Sequence, residues 1–207
     1  MLDGGQAQYV LVPNAGATLF NLSDPDTWPN RTVTNVSESS LLVLADILPT
    51  GSFAALQCLS HPKVQAVLTG NPWPTCLLPS GPPAEVANSA PLTQADRMLT
   101  LAIIGLGPVG LCTAVSLLDM LARRGQQYQI VAVDLLESRR KKMAAVYGTI
   151  DQQDKGSGEF VVCSPEEAKA VVKGWTQGAG CTAVIEVRHI NSTRFRGNQL
   201  SLPGRWE

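Results

Sequence analysis

Three glycines and one aspartate have the types and the spacing needed to hold a phosphorylated ligand. Residues 105–110 read GLGPVG, and Asp134 closes a later apolar run, QIVAV, close to the ~20 residues downstream at which an acid is expected. Gly105 permits a sharp turn out of a preceding strand, where a Cβ would clash. Gly107 lets the backbone come close to a diphosphate, and Gly110 lets a helix pack tightly on the strand. Leu106, Pro108 and Val109 complete the turn. Pro108 sits at the first helical position, where the missing N–H costs nothing. The amides of the first helical turn, with the helix dipole behind them, then face the anion. The carboxylate of Asp134 is placed to take ribose hydroxyls. These residues together predict a dinucleotide site.

The elements that must position these residues follow from periodicity. Leu101 to Ile104 run apolar without alternation, as in a strand buried on both faces of a parallel sheet. A helix is predicted from Pro108 to Arg124, with Gly125 as its closing residue. Its Thr113, Ser116, Asp119 and Arg123 form one stripe expected to meet water. A second strand spans Gln129 to Val133, and a second helix, closed by Gly148, spans Leu136 to Tyr147. Its basic run, Arg139 to Lys142, reads as a solvated helix side. A strand over Gly158–Cys163 leads to a helix capped by Ser164, opening with Pro165 and carrying Glu166 and Glu167 in its first turn. Cys181 to Val187 is a fourth strand. Alternation of this kind gives an α/β fold, a Rossmann-type parallel sheet with helices on both faces and right-handed crossovers.

Upstream, Gln8 to Val12 is expected to be a strand that Pro13 ends. Ser37 to Leu48 is expected to be a serine-capped helix, with Asp46 facing water or capping the next turn. Pro49 interrupts that helix, Thr50 and Gly51 turn the chain, and Ser52 caps a second helix, FAALQCL. Residues 59–97 are rich in proline and read as an extended surface insertion. His61, before Pro62, is expected at a helix end as a satisfied or solvated side chain. From Arg188 the periodicity stops.

The 207 residues are 44% hydrophobic and 16% charged, which is a globular composition. A formal net charge of −1 argues against nucleic acid as a partner. No apolar run approaches the ~18 residues that span a bilayer, so no membrane partner is expected, and residues 1–10 lack the pattern of a signal peptide. The five cysteines are scattered, without C-x-x-C spacing, and fit a reducing, cytoplasmic setting.

Several segments taken in order carry a family resemblance: DGGQAQYVLVP at 3–13, LADILPTG at 44–51, GLGPVGLC at 105–112 leading to VAVD at 131–134, and GAGCTAVIEV at 178–187. In these the chain resembles the zinc-type medium-chain dehydrogenase/reductase family, the alcohol and formaldehyde dehydrogenases. The resemblance implies hydride transfer between a small alcohol or aldehyde and a nicotinamide dinucleotide, with zinc polarising the alcohol oxygen. It implies that Asp46 is a zinc ligand, that Thr50 lies against the nicotinamide, and that Asp134 favours NAD over NADP. Arg139 would stand beside the adenosine ribose, and with Arg140 it leaves room for a 2′-phosphate. The implied domains are a β-rich remnant of a GroES-like catalytic domain over 1–45 and a coenzyme domain over 46–187, followed by an atypical tail, 188–207. The family's other zinc ligands would lie upstream of the DGGQA strand, which only Met1 and Leu2 precede here, so zinc is not expected to be held by this chain alone. The chain thus reads as a truncated middle segment. A non-catalytic dinucleotide-binding module, or a product left unstable by an open sheet edge, are the competing expectations. Pairing of coenzyme domains in the family makes a homo-oligomer a further one.

Overall fold

In the computed structural model, the described residues are Tyr9, 11–18, 37–70 and 98–187. The chain divides into two compact units, Met1–Leu41 and Leu42–Glu207. In the first, α1 is a single turn, Ala15–Thr18. The strand expected over Gln8–Val12 is not formed at Tyr9, Leu11 or Val12, and Tyr9 and Leu11 are exposed. A strand needs a ladder partner, and none is found for these positions among the described residues. The remaining positions of the expected β-rich segment, like those of the tail from Arg188, lie outside the described residues. Helix α2, Glu38–Ala45, begins in the first unit and ends in the second. Ser37 opens it, its Oγ accepting from the Ser40 amide at 3.3 Å.

The second unit is built on a four-stranded parallel sheet: β1 (Leu99–Ile104), β2 (Tyr128–Val133), β3 (Gly158–Cys163) and β4 (Ala183–Glu186). The spatial order is β3-β2-β1-β4. The chain therefore moves outward from β1 in one direction through β2 and β3, then returns to the other side of β1. Register is tight at the centre: Ile104 stands beside Val133 on one flank and Glu186 on the other. That reversal is a topological switch point, where open α/β sheets leave a crevice at the carboxyl ends of the strands.

Both faces of the sheet are covered, which explains the unbroken apolar runs. Leu99, Leu101 and Ile103 of β1 and Ile130 of β2 join a core with α3 (Ile47–Ser60), α4 (Pro62–Thr69), α5 (Pro108–Arg123) and Met143 of α6 (Glu137–Thr149). Ala102, Val131, Val133 and Cys163 face the other way and pack on Ala168 and Val172 of α8 (Pro165–Thr176). A single turn, α7 (Gln152–Lys155), precedes β3.

Four local expectations are corrected. The break between the first two helices falls at Asp46, and α3 runs straight through Pro49, Thr50 and Gly51. Pro49 lies in the first turn of α3, where its absent N–H would have had no carbonyl to meet. Residues 59–69, read as part of a surface insertion, complete α3 and form α4, whose Val64, Ala66 and Val67 are buried. Pro62 marks a helix start at N1, and His61 is its N-cap, with Nδ1 accepting from the Lys63 amide at 3.2 Å. The rest of the proline-rich stretch, 71–97, lies outside the described residues. Finally, the polar stripe of α5 does not all meet water. Thr113 and Ser116 are buried against α3, where Ser116 Oγ and Ser52 Oγ lie 2.8 Å apart. Only Asp119 and Arg123, paired at 2.9 Å, remain outside. Gly148 is helical and does not close α6, which ends one residue later at Thr149.

Among the described residues, no single helix is long and apolar enough to cross a membrane.

Candidate functional site

The glycine turn joins β1 to α5 at the switch point. Gly105 has φ 98°, a left-handed conformation that a side chain would strain. Its amide donates to the Val133 carbonyl at 2.8 Å, which ties the turn to the end of β2. Gly107 is the N-cap of α5, and Pro108 follows at the first helical position. The two remaining glycines differ sharply. A Cβ on Gly107 would meet nothing within 4 Å, so its bare Cα borders open space at the amide end of α5. A Cβ on Gly110 would overlap the Gly105 carbonyl and press on Val187 at 3.3 Å. Gly110 is thus demanded by packing, and Gly107 by nothing among the described residues. An open cradle that one methyl group would begin to fill, facing the unpaired amides of a helix start, fits a diphosphate.

Asp134 follows β2 and sits beside this turn. Its Oδ2 accepts from the Leu106 amide at 2.7 Å and its Oδ1 from the Leu136 amide at 2.8 Å. Arg139 reaches the same Oδ2 at 3.5 Å. Only 6% of the Asp134 side chain is exposed, against 48% of Arg139. Arg140 donates to the carbonyls of Asp134 and Leu135 at 2.8 and 2.9 Å, so it braces the backbone that carries the acid. The contact between Asp134 and the amide of Leu106 had no signal in the sequence, because its donor is main chain. Val187, whose amide donates to the Ile104 carbonyl at 2.9 Å, is likewise a tertiary neighbour of the turn that no local pattern announced.

Asp46 and Thr50 lie at the start of α3. Asp46 is exposed, and Thr50 Oγ1 donates to its carbonyl at 2.7 Å and stands 3.3 Å from its Oδ1. Thr50 precedes Gly51, and a Cβ on Gly51 would come within 2.6 Å of Cys112 Cβ on α5. A close helix crossing therefore brings this segment against α5 just beyond the glycine turn. Among the described residues, no group of three His, Cys, Asp or Glu side chains could hold a metal ion. Asp46 by itself does not make up a catalytic zinc site, which takes three protein ligands.

No family model and no solved structure matches the chain. Two curated proteins do. A zinc-type alcohol dehydrogenase B of Aspergillus flavus is 28% identical over 205 residues, 98% of this chain and 35% of that protein. A medium chain reductase/dehydrogenase of Acremonium sp is 28% identical over 186 residues, 90% of this chain and 46% of that protein. The chain thus spans between about a third and a half of the length of these relatives. The first similarity takes in nearly the whole chain, the glycine turn and the strands around it included. By this likeness and this architecture, the chain is similar to members of the medium-chain dehydrogenase/reductase family.

Proposed function

We propose that this chain binds a nicotinamide dinucleotide at the β1–α5 turn and supplies the coenzyme-binding part of an oxidoreductase. One observation carries the reading: Gly107 borders open space while Gly110, three residues on, is closed by the Gly105 carbonyl. A turn kept free of side chains for packing alone would not need both. The dinucleotide's diphosphate would lie on the amides that start α5, and its adenosine ribose beside Asp134 and Arg139. Thr50 is the residue proposed to stand against the nicotinamide. When bound, the nicotinamide gives or accepts hydride, and the substrate class suggested by the relatives' names is an alcohol or its carbonyl product.

The donor set described for the chain does not fit zinc, so no step is routed through a metal. Asp46 is the one residue proposed to contribute a ligand in the zinc-type enzymes that the chain resembles. The same lack of a metal-holding cluster among the described residues favours, as a second reading, a dinucleotide-binding module without turnover of its own. The proposed division of labour assigns dinucleotide binding to residues 46–187.

Titration of the full chain with NADH, followed by the fluorescence of the reduced nicotinamide, tests the reading. Saturable binding is expected, and Gly107→Val abolishes it. A chain that melts cooperatively and binds nothing would sink the assignment. Alcohol oxidation by the saturated chain, with and without added zinc, separates the enzyme from the binding module.

A further inference from the structure

We infer that Ser52 and Ser116 are a positioning pair. Their interhelical hydrogen bond sets the first turn of α3, and Thr50 with it, against the glycine turn, so that the site holds the nicotinamide half of the dinucleotide as well as the diphosphate. The inference rests on the dinucleotide reading above and deepens it. Hydroxyls inside a helix ordinarily turn back onto a carbonyl one turn earlier. Thr50 and Thr113 do so: Thr50 Oγ1 donates to the Asp46 carbonyl at 2.7 Å and Thr113 Oγ1 to that of Val109 at 2.9 Å. Ser52 and Ser116 instead reach across from α3 to α5, their Oγ atoms 2.8 Å apart. Ser116 is buried and Ser52 half-buried.

The bond stands in a seam of backbone contact. A Cβ on Gly51 would lie 2.6 Å from Cys112 Cβ and 2.7 Å from the Thr113 amide nitrogen, so α3 touches the main chain of α5 there. Ser52 follows Gly51 directly, and Ser116 stands about one helical turn beyond Cys112. The contact at Gly51 fixes how closely the two helices approach. Apolar contact has no preferred direction, whereas a hydrogen bond does, so the second point fixes their slide and roll. Two apolar groups of the same shape would fill the seam at nearly equal stability. The distinct effect of the hydroxyl pair is therefore register. What that register carries is Thr50, exposed and next to Gly51, at the end of α5 where Gly107 borders open space.

Calorimetric titrations of the full chain with NADH and with ADP-ribose, which keeps the adenosine and diphosphate but lacks the nicotinamide, test this. The emission of bound NADH reports the surroundings of the reduced ring. The wild-type chain binds NADH more tightly than ADP-ribose and shifts its emission. The double variant Ser52→Ala, Ser116→Ala melts close to wild type and returns the emission toward that of free NADH. It weakens NADH by about fivefold and leaves ADP-ribose within about twofold, since a directional contact is lost for one half of the ligand only. Ser52→Thr, which keeps the hydroxyl, retains wild-type NADH affinity and emission. Equal weakening of both ligands, or unchanged NADH affinity and emission in the double variant, overturns the positioning role and leaves the dinucleotide site standing. A double variant that no longer melts cooperatively makes the pair structural and overturns the role as well. Failure of a cooperatively melting wild-type chain to bind either ligand overturns both readings.

Discussion

At the scale of single residues, the two glycines of the turn make opposite predictions. Gly107 has φ −69° and ψ −175°, a backbone any residue can adopt, with open space where its side chain would stand. Gly107→Val should leave the melting temperature close to wild type while abolishing dinucleotide binding, read by fluorescence titration on the same sample. Gly110→Ala forces a methyl group onto the Gly105 carbonyl, so overpacking should destabilise the second unit by at least about 2 kcal/mol in urea unfolding. A stable Gly110→Ala chain would mean that the turn and helix are less closely packed than described. Asp134 belongs to the same scale. Its two amide partners make it a structural acceptor at both oxygens, a role its position in the sequence did not disclose.

At the scale of elements, α8 is the most fully signed helix in the chain. Ser164 accepts from the Glu167 amide at 3.3 Å and Glu167 Oε2 accepts from the Ser164 amide at 2.8 Å, a reciprocal capping box. Those hydrogen bonds hold the Glu167 carboxyl below its ordinary range. Its folded-state value is thus depressed relative to the unfolded chain. The stability it contributes is present above the ordinary glutamate range and is lost as pH falls through the lower folded value. Ser164→Ala should cost about 1 kcal/mol at neutral pH through the lost cap, whereas Glu167→Ala, which removes the carboxyl itself, should flatten the acid limb of the stability curve, measured by urea unfolding across the acid range. An unchanged acid limb would place the effect elsewhere. The pairing of α3 with α5 is the other element-scale result. Gly51 lets the two helices approach within contact of Cys112, and the hydroxyls of Ser52 and Ser116 satisfy one another in the seam. Each of these needs the other helix to make sense, which is why the stripe on α5 reads as a wet face until α3 is laid over it.

At the scale of the whole molecule, burial governs the titration of the thiols. Cys58, Cys163 and Cys181 are buried, and burial pushes each thiol from 9.0 up to about 11, with the Glu167 carboxylate adding to the effect at Cys163. Burial raises the Tyr128 phenol as well. A raised folded value means stability that is complete below the unfolded value and is lost as pH climbs through the folded one. The chain should therefore lose stability between pH 9.0 and about 11, and its buried thiols should react with an alkylating reagent only on unfolding. Rapid alkylation of Cys58, Cys163 or Cys181 in the folded chain at neutral pH, or a flat alkaline limb, would contradict the packing described. Ligand binding belongs to this scale too. A dinucleotide that binds only the folded chain at ~100-fold above its Kd should add about 2.7 kcal/mol, seen as a rise in melting temperature that Gly107→Val removes.

The residues alone determined the parallel strands, the turn between β1 and α5, the serine cap of α8 and the acid after β2. Each of these depends on sterics or periodicity within a few positions of the chain, where one residue's neighbours in sequence are also its neighbours in space. Only the tertiary structure decided which faces are wet, because burial depends on what arrives from far away. Pro49 lost its force as a breaker by falling in the first turn of a helix whose packing face extends past it. Residues 59–69 gained a core role because α3 and α4 lie against the sheet. The strand order β3-β2-β1-β4, which opens the crevice at the end of β1, is set by the return of the chain from α8 to the far side of β1. The inward commitment of Asp134 has the same origin: a carboxylate is drawn to amides that lack a partner, and one of its two, that of Leu106, belongs to a turn 28 residues earlier.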